Sequence, residues 1–364
     1  MRTTELDSSP TDPSFNGWFA LAGKGRLSPH SRTSVMFGAR TWPIKPDICM
    51  ESGNVLTDGA ADFVMDHPVA SLRTTDARDD LALSSTNATS AATAQAARLA
   101  AMAHAYYPDY WPETVRGLLP HQANWTPAMR TGIDGATSKT DRLSLLRRYG
   151  WGVPREENVI GSTAQAVTMV TQDTFSPFEG KDFLARRFRL HELPWPVEVL
   201  RGLGAADVSL RVTLSYFIEP AASRRGWRRR YSYPSHGLRF ELKRPTETAE
   251  GFVGRLNYAA RREEEGSPGQ APADQWLVGP KQRDFGSLHQ DIWEGSGADL
   301  AEAGYLAVHP VGGWWKNNRR AARADRVVRY ALLVSLTTDE VGVDLYTPIA
   351  TQLELPVEVV VPAT

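Results

Sequence analysis

The hydrophobic pattern of the first 150 residues predicts helices among short strands. Residues 17–60 are short apolar pieces broken by Gly, Pro and Asn, which is typical of strands and tight loops, and the polar stretch 61–85 predicts a loop. An uninterrupted alanine-rich run over 90–107 predicts the strongest helix, which a proline ends. Two further helices are predicted over 112–119, with a proline in the first turn, and over 139–149, with a glycine after the last turn.

Beyond Gly152 the pattern changes to an alternation of apolar and polar residues, which is typical of strands. The segments with this pattern are 166–172, 208–218, 238–243, 303–308, 329–337 and 353–361. Six strands with long connections predict an antiparallel sandwich or jelly-roll. The segment 259–274 is charged and then rich in Pro and Gly, so we expect an exposed loop there.

The change of pattern predicts two domains, which a chain of 364 residues can accommodate. We expect an α/β domain at 1–150, a linker at 151–165, and an all-β domain of the sandwich or jelly-roll type at 166–364.

Composition and charge exclude several classes of protein. Hydrophobic residues make up 41% of the chain and charged residues 23%, so most of it can fold around a core. The net charge of −1 gives no general attraction to nucleic acid or to an anionic membrane. Cys49 is the single cysteine and no HExxH motif occurs, so we expect no metal and no cofactor. The sequence has neither a membrane-spanning apolar run nor a secretory leader, and we expect a cytoplasmic location.

The string STNATSAATAQAAR at residues 85–98 is the most informative part of the sequence. One interpretation is structural: Ser90 or Thr89 caps the helix, and the alanines allow close packing against a sheet. The other interpretation is chemical. Ser90 would be a nucleophile at the start of a helix, where the helix dipole and free backbone N–H groups stabilise negative charge. The string by itself is compatible with both.

Three passages in order along the chain carry a resemblance to a known family. They are Lys-Pro-Asp at 45–47 followed by Gly-Asn at 53–54, Ala-Thr-Ser at 88–90, and YPDYWPETVRGLLPHQANWT at 107–126. These resemble the subtilisin-like serine peptidases, in which Gly-Thr-Ser opens a helix of small residues. The resemblance implies the C-terminal portion of a parallel-sheet α/β peptidase domain, with Ser90 as the catalytic residue and a polypeptide as the substrate.

One bacterial branch of that family has a β-rich tail that resembles the second half of this chain. The similar passages are RVTLSYFIEP (211–220), SHGLRFELKRP (235–245), GSLHQDIWEG (286–295) and AVHPVGGWW (307–315). The resemblance therefore extends to both patterns of the sequence.

The sequence departs from the family pattern at three points. Ala88 stands where the family has Gly, and a methyl group there is disfavoured if the backbone needs a positive φ. Gln95 stands where the family usually has Pro. The catalytic Asp, the catalytic His and the oxyanion-hole Asn of the family all lie upstream of the matching passages. We therefore expect a truncated or split chain that works with an upstream peptidase half, because a triad serine needs a histidine base.

None of the eight histidines carries a pattern that marks it as a replacement base. His104 lies fourteen residues further along the predicted helix, about 21 Å from Ser90 by helical rise. His30 and His67 fall in predicted loops.

Other functions remain open on the sequence alone. The chain can be an inactive peptidase scaffold that binds partners through residues 160–364. Trp314 and Trp315 after a Gly pair can form a platform for stacking a sugar, although packing is the more common fate of such a pair. The arginine-rich segment 223–233 is interpreted as an exposed loop rather than a nucleic-acid site.

Overall fold

A computed structural model describes residues 10–37, 42–78, 80, 82–161, 166–178, 188–222, 233–264, 275–317, 326–340, 343 and 358–359. The chain divides into two compact units. The first comprises residues 1–38, 44–109 and 118–161, and the second comprises residues 39–43, 110–117 and 162–364. None of the helices in the described ranges is long and apolar enough to cross a membrane.

The strands of the first unit are short and form three small sheets. They are β1 Phe19–Ala20, β2 Leu56–Thr57, β3 Phe63–Val64, β4 Leu72–Thr75, β5 Leu83–Thr86, β6 Ala123–Asn124 and β7 Val153–Pro154. The sheets pair as β1-β2-β3, β4-β5 and β6-β7, and every pair is antiparallel. The parallel sheet implied by the family resemblance does not occur among the described residues. The predicted loop at 61–85 is also wrong, because β3, β4 and β5 begin within it.

The helices that begin before residue 160 are α1 Ala88–Tyr106, α2 Pro112–His121, α3 Pro127–Asp134, α4 Lys139–Tyr149 and α5 Glu156–Val159. Helix α4 has the predicted bounds because each of its ends has a local signal. The Ser138 side chain accepts a hydrogen bond from the Asp141 N–H, and Gly150 takes a positive φ of 56° after the last turn. Helix α3 was not predicted; Thr126 caps it by accepting from the Met129 N–H.

A small cluster that includes Cys49, Met129 and Val153 forms part of the core of the first unit. The Cys49 N–H donates to the Gly152 carbonyl oxygen over 2.7 Å. This hydrogen bond joins the segment before Gly53 to the C-terminal part of the first unit. The single cysteine is therefore a buried packing residue here.

The second unit contains two four-stranded antiparallel sheets. Their strands are β8 Ala166–Phe175, β9 Arg189–Glu192, β10 Asp207–Tyr216, β11 Gly237–Leu242, β12 Leu288–Ser296, β13 Tyr305–Val311, β14 Val328–Thr338 and β15 Glu358–Val359. The strand orders are β12-β10-β14-β8 and β11-β13-β9-β15. All six predicted strand regions contain a strand, although 353–357 and 360–361 lie outside the described residues.

Side chains from both sheets form one apolar core. Leu210 and Leu214 of β10 pack in the same cluster as Leu238 and Phe240 of β11 and Val308 of β13, and all five are buried. Full burial of one such side chain contributes about 1.5–3 kcal/mol, so this cluster is a main source of stability in the unit.

The expectation of an all-β domain is wrong, because helices lie between the strands. They are α6 Val197–Leu203, α7 Ala249–Glu264, α8 Pro280–Arg283, α9 Gly297–Glu302 and α10 Trp314–Asn317. Helix α7 also contradicts the predicted loop over 259–264, while 265–274 lie outside the described residues. Phe252 and Leu256 are one helical turn apart on α7 and pack against Leu190 and Ala307. The unit is thus a mixed α/β structure with antiparallel sheets. Most of the arginine-rich segment, 223–232, lies outside the described residues.

Candidate active site

The start of α1 is not capped by a side chain, although an asparagine precedes it. Asn87 follows β5 directly and has extended backbone angles. Its Nδ2 donates to the Met65 carbonyl oxygen over 2.6 Å and to Asp66 Oδ1 over 3.0 Å, and it makes no cap hydrogen bond to α1. The N–H groups in the first turn therefore lack the usual side-chain acceptor and can stabilise a negative charge placed before the helix.

Ala88 adopts a left-handed backbone conformation. Its φ is +67°, and it is the one non-glycine residue with a positive φ in the part of the chain that the structure describes. The Ala88 N–H donates to the Ser52 carbonyl oxygen over 2.8 Å. A left-handed conformation costs an L-residue about 1–2 kcal/mol, which glycine avoids. The positive φ explains physically why this position of the motif favours glycine.

The loop at 51–54 packs against the residue before α1 at a glycine that also has a positive φ. Gly53 has a φ of +79°, and a Cβ atom there would lie 2.9 Å from both the Ala70 carbonyl oxygen and the Asn87 Cβ atom. The Ser28 hydroxyl donates to the Gly53 carbonyl oxygen over 2.6 Å and holds the loop from its other side. Close backbone approach therefore requires glycine at position 53.

The Ser90 side chain is exposed in the first turn of α1. Within the described ranges its hydroxyl makes no hydrogen bond. It lies where the backbone N–H groups of a helix start concentrate positive potential. The structural interpretation, in which Ser90 or Thr89 is the N-cap, is wrong, because Asn87 occupies the cap position.

One face of α1 is lined by small side chains and is exposed to solvent. Ala91, Ala92, Leu99 and Ala103 are the buried residues of α1. The exposed face carries Ser90, Ala94, Ala97, Ala101 and Ala105. By the helical period these five positions lie within about 60° of Ser90, and so do the exposed Thr93 and His104. The alanines therefore form a stripe that begins at the serine and is bordered by these two larger side chains.

The structure agrees with the expectation that no nearby histidine replaces the base. His67 Nδ1 accepts a hydrogen bond from the Val69 N–H over 3.2 Å, and its ring packs edge-on against Phe15. His104 is exposed in the last turn of α1, and His30 is half-buried. None of these histidines forms a hydrogen bond with Ser90 in the described ranges, so the described structure supplies a serine without a base.

Gln95 connects the middle of α1 to the loop at 51–54. Its Nε2 donates to the Glu51 carbonyl oxygen over 2.8 Å and to the Ala91 carbonyl oxygen over 3.2 Å. A polar cleft of about 530 Å³ lies beside it and is also lined by Arg98, which pairs with Glu156 over 2.9 Å. The glutamine in place of the family's proline thus anchors the helix to the loop that positions Ala88.

Two residues near the site were not assigned a role from the sequence. Ser52 supplies the carbonyl acceptor for Ala88, and Asp66 holds the Asn87 side chain away from the helix. A polar residue directly before a helix was a visible signal for Asn87. The contacts to Ser52 and Asp66 join residues far apart in the sequence, so no local pattern predicts them.

Metal and sugar sites find no support in the described parts of the chain. No group of three or more His, Cys, Asp or Glu residues there could hold a metal ion. Trp315 is 4% exposed and its ring lies at 81° to that of Trp314. Both indole N–H groups donate to Glu219. The pair is therefore packed into the unit and does not form a flat platform for a sugar.

Ser90 is exposed in the first turn of α1, next to backbone N–H groups that can stabilise a negative charge. Residues 4–152 match the family model described as the Subtilase family, Peptidase S8. This match includes all three passages that carry the resemblance, so the N-terminal part of the chain is similar to that family. No curated protein matches the chain.

Proposed function

We propose that this chain is a subtilisin-like serine endopeptidase in which Ser90 is the nucleophile and a polypeptide is the substrate. The main observation in support is the left-handed Ala88, which occupies the position of the motif's glycine directly before Thr89 and Ser90 at the start of α1. This conformation directs the chain into the helix so that the serine falls in the first turn. The match of residues 4–152 to the subtilase family supports the same assignment.

In this proposal the Ser90 hydroxyl attacks the carbonyl carbon of the scissile peptide bond. The C–N bond breaks, the amine leaves with a proton, and the acyl group remains on the Ser90 oxygen until water hydrolyses the ester. The backbone N–H of Ser90 donates to the oxyanion that forms at the carbonyl, because it belongs to the uncapped first turn of α1.

The general base, its orienting carboxylate and the oxyanion Asn come, in this proposal, from an upstream peptidase half. No described histidine bonds to Ser90, and a subtilisin without its histidine loses about 10⁶ in turnover. The loss of one oxyanion donor costs about a further 10²–10³. Normal rates are therefore expected only when an Asp, a His and an Asn are supplied next to Ser90.

The exposed stripe of α1 supports the involvement of a second polypeptide. Alanines at 94, 97, 101 and 105 offer little to solvent but allow close approach of another backbone, and they continue directly from Ser90. An upstream half that packed there would bring its own side chains to the serine hydroxyl.

We assign the binding of substrates or partners to the second unit, in which two antiparallel sheets share a core in the manner of a sandwich. We also keep a cytoplasmic location, without nucleic acid or membrane as a partner, as part of this proposal.

The test is hydrolysis of a fluorogenic peptide by the full chain together with a polypeptide that carries a subtilase Asp, His and Asn. Ser90→Ala should reduce the rate by about 10⁶, which means to background. Thr131→Ala removes an exposed hydroxyl from helix α3 of the same unit and should leave the rate unchanged. Equal hydrolysis by the wild type and by Ser90→Ala would contradict the assignment.

A second function is favoured by the absence of a base next to Ser90 in the described ranges. The chain would then be an inactive peptidase scaffold that binds partners through residues 160–364. Ser90→Ala separates the two functions: unchanged biological activity and partner binding support the scaffold, and loss of activity with binding intact supports the peptidase.

A further inference from the structure

The second unit contains a cavity that has no part in the proposed chemistry of Ser90. Its volume is about 480 Å³, within the range of pockets that hold small molecules or single side chains. Its lining includes several aromatic rings and prolines, namely Trp42, Pro43, Tyr233, Pro234 and Phe285. Flat apolar walls of this kind favour a planar ring, because aromatic groups bury a large area and stack in offset or edge-on arrangements.

The lining of the cavity also contains a buried ion pair. The Arg239 Nε atom lies 3.1 Å from Asp284 Oδ2, and the two side chains are 12% and 5% exposed. Both residues line the cavity. A carboxylate can accept several hydrogen bonds and a guanidinium can donate up to five, so the pair can meet both a donor and an acceptor on the edge of a ring.

The charged groups next to this pair are paired with one another. Arg283 lies 3.6 Å from Asp284, 3.3 Å from Asp291 and 3.7 Å from Glu241. Glu241 also lies 3.5 Å from Arg255. His289 also faces Asp284, and burial lowers its pKa below the ordinary value, which keeps the ring neutral at neutral pH. A charged ligand would lose its hydration on entering the cavity, and the charged side chains there already pair with one another, so none would compensate this loss. This pairing therefore favours an uncharged ligand.

The floor of the cavity is held in place before any ligand arrives. The Tyr216 ring stacks on the His289 ring with centroids 5.6 Å apart, and its hydroxyl donates to the Gly286 carbonyl oxygen over 3.1 Å. Burial raises the pKa of Tyr216, so this hydroxyl stays protonated. At Gly237 a Cβ atom would lie 2.6 Å from the Val311 side chain, which shows how closely β11 and β13 approach at the wall. A preformed pocket loses little entropy when it binds a ligand.

We propose that this cavity binds an uncharged planar aromatic ring with a hydrogen-bonding edge, whose polar edge meets Arg239 and Asp284. The ring can come from a free small molecule or from an aromatic side chain of a polypeptide. The proposal is independent of catalysis by Ser90.

The test is calorimetric titration of the full chain with N-acetyl-L-tryptophanamide. We expect a Kd of about 1 mM or tighter for a ligand of this size. N-acetyl-L-tryptophan has the same ring but carries a carboxylate, and it should bind at least about tenfold more weakly because it adds an unpaired charge. Binding of free indole with equal affinity identifies a small-molecule ring as sufficient. Binding of the amide but not of indole identifies a polypeptide side chain as the source.

Variants connect the binding to the cavity. Ile218→Trp fills the cavity and Trp42→Ala removes a wall, and each should weaken binding of the amide at least about tenfold. Tyr258→Ala removes an aromatic ring from α7 that is 56% exposed and outside the cavity, and should not change the affinity. Circular dichroism checks that each variant is folded. Trp42 is 38% exposed, so its replacement should leave the core intact, and this variant tests the proposal even if Ile218→Trp misfolds. Absence of binding by the wild type, equal binding by the amide and the carboxylate, or equal binding by the Trp42→Ala variant would overturn the proposal.

Discussion

The positive φ at Ala88 predicts that a change to glycine stabilises helix α1, although glycine usually destabilises a helix. Ala88→Gly removes a left-handed alanine, which releases about 1–2 kcal/mol. The added freedom of glycine in the unfolded chain offsets about 0.4–1 kcal/mol of this gain. The variant should therefore stabilise α1 by about 0.5–1 kcal/mol. Ala97→Gly is the matched control: this residue is exposed inside the same helix, and the change should destabilise it by about 0.5–1 kcal/mol.

Amide hydrogen exchange measured by mass spectrometry reports this effect in peptides that cover α1. Exchange measures the free energy of local opening, so it does not depend on the unfolding of the second unit. Exchange in α1 should slow by about threefold in Ala88→Gly and accelerate by a similar factor in Ala97→Gly. Faster exchange in both variants would refute the left-handed conformation at position 88 and the identification of this residue with the motif's glycine.

Three further predictions concern the second unit. Leu210→Ala should lower the free energy of unfolding in urea by about 2–5 kcal/mol because it opens a cavity in the shared core, whereas Val327→Ala, at a 64% exposed position, should change it by less than about 0.5 kcal/mol; equal effects would contradict the packing. Burial lowers the pKa of His236 from 6.5 to about 4, so the unfolded chain binds the proton first as the pH falls. Stability from this residue is complete above pH 6.5 and is lost toward pH 4, with a slope of up to about 1.4 kcal/mol per pH unit, and His236→Gln should flatten that slope between these values; an unchanged slope would contradict its burial. Asp291→Ala should cost about 3–5 kcal/mol in urea unfolding, because it leaves the buried Arg283 without this partner and three backbone N–H groups without the Asp291 acceptor. A cost below about 1 kcal/mol would contradict the buried pair.

Local signals explain which elements could be predicted. Helix α4 was predicted to the residue because a capping serine and a glycine with positive φ mark its ends. Helix α1 was predicted two residues too short at its start, because the left-handed Ala88 and the Asn87 cap replace the expected serine cap. The long strands β8, β10 and β14 were predicted because each alternates apolar and polar residues over part of its length or is rich in β-branched residues. The nine-residue strand β12, Leu288–Ser296, was not predicted.

Other elements depend on contacts that no local pattern reveals. The end of α7 was predicted as a loop because its charges dominate the sequence, although Phe252 and Leu256, spaced one helical turn apart, were an available signal for an amphipathic helix. Strand β9 is four residues long, and it pairs with β13 more than a hundred residues later. The small antiparallel sheets of the first unit also differ from the parallel sheet that the family resemblance implied.

The nucleophile of the candidate site could be predicted from the sequence, but the hydrogen bonds that hold the start of α1 could not. Ser90 and the conformational demand on position 88 follow from the motif and from the stereochemistry of glycine. The Ser52 carbonyl that binds Ala88 and the Asp66 carboxylate that draws Asn87 away from α1 are long-range contacts. Neither contact follows from a local sequence pattern.

The reactivity of the Ser90 hydroxyl toward a fluorophosphonate, followed by intact-protein mass spectrometry, tests the central claim most directly. The chain alone should react slowly, and a polypeptide that carries a subtilase Asp, His and Asn should accelerate labelling by several orders of magnitude, at Ser90 alone. Ser90→Ala should abolish the label. Rapid labelling of Ser90 in the isolated chain would contradict the claim that its base comes from another polypeptide, and labelling that persists in Ser90→Ala would contradict its role as the nucleophile.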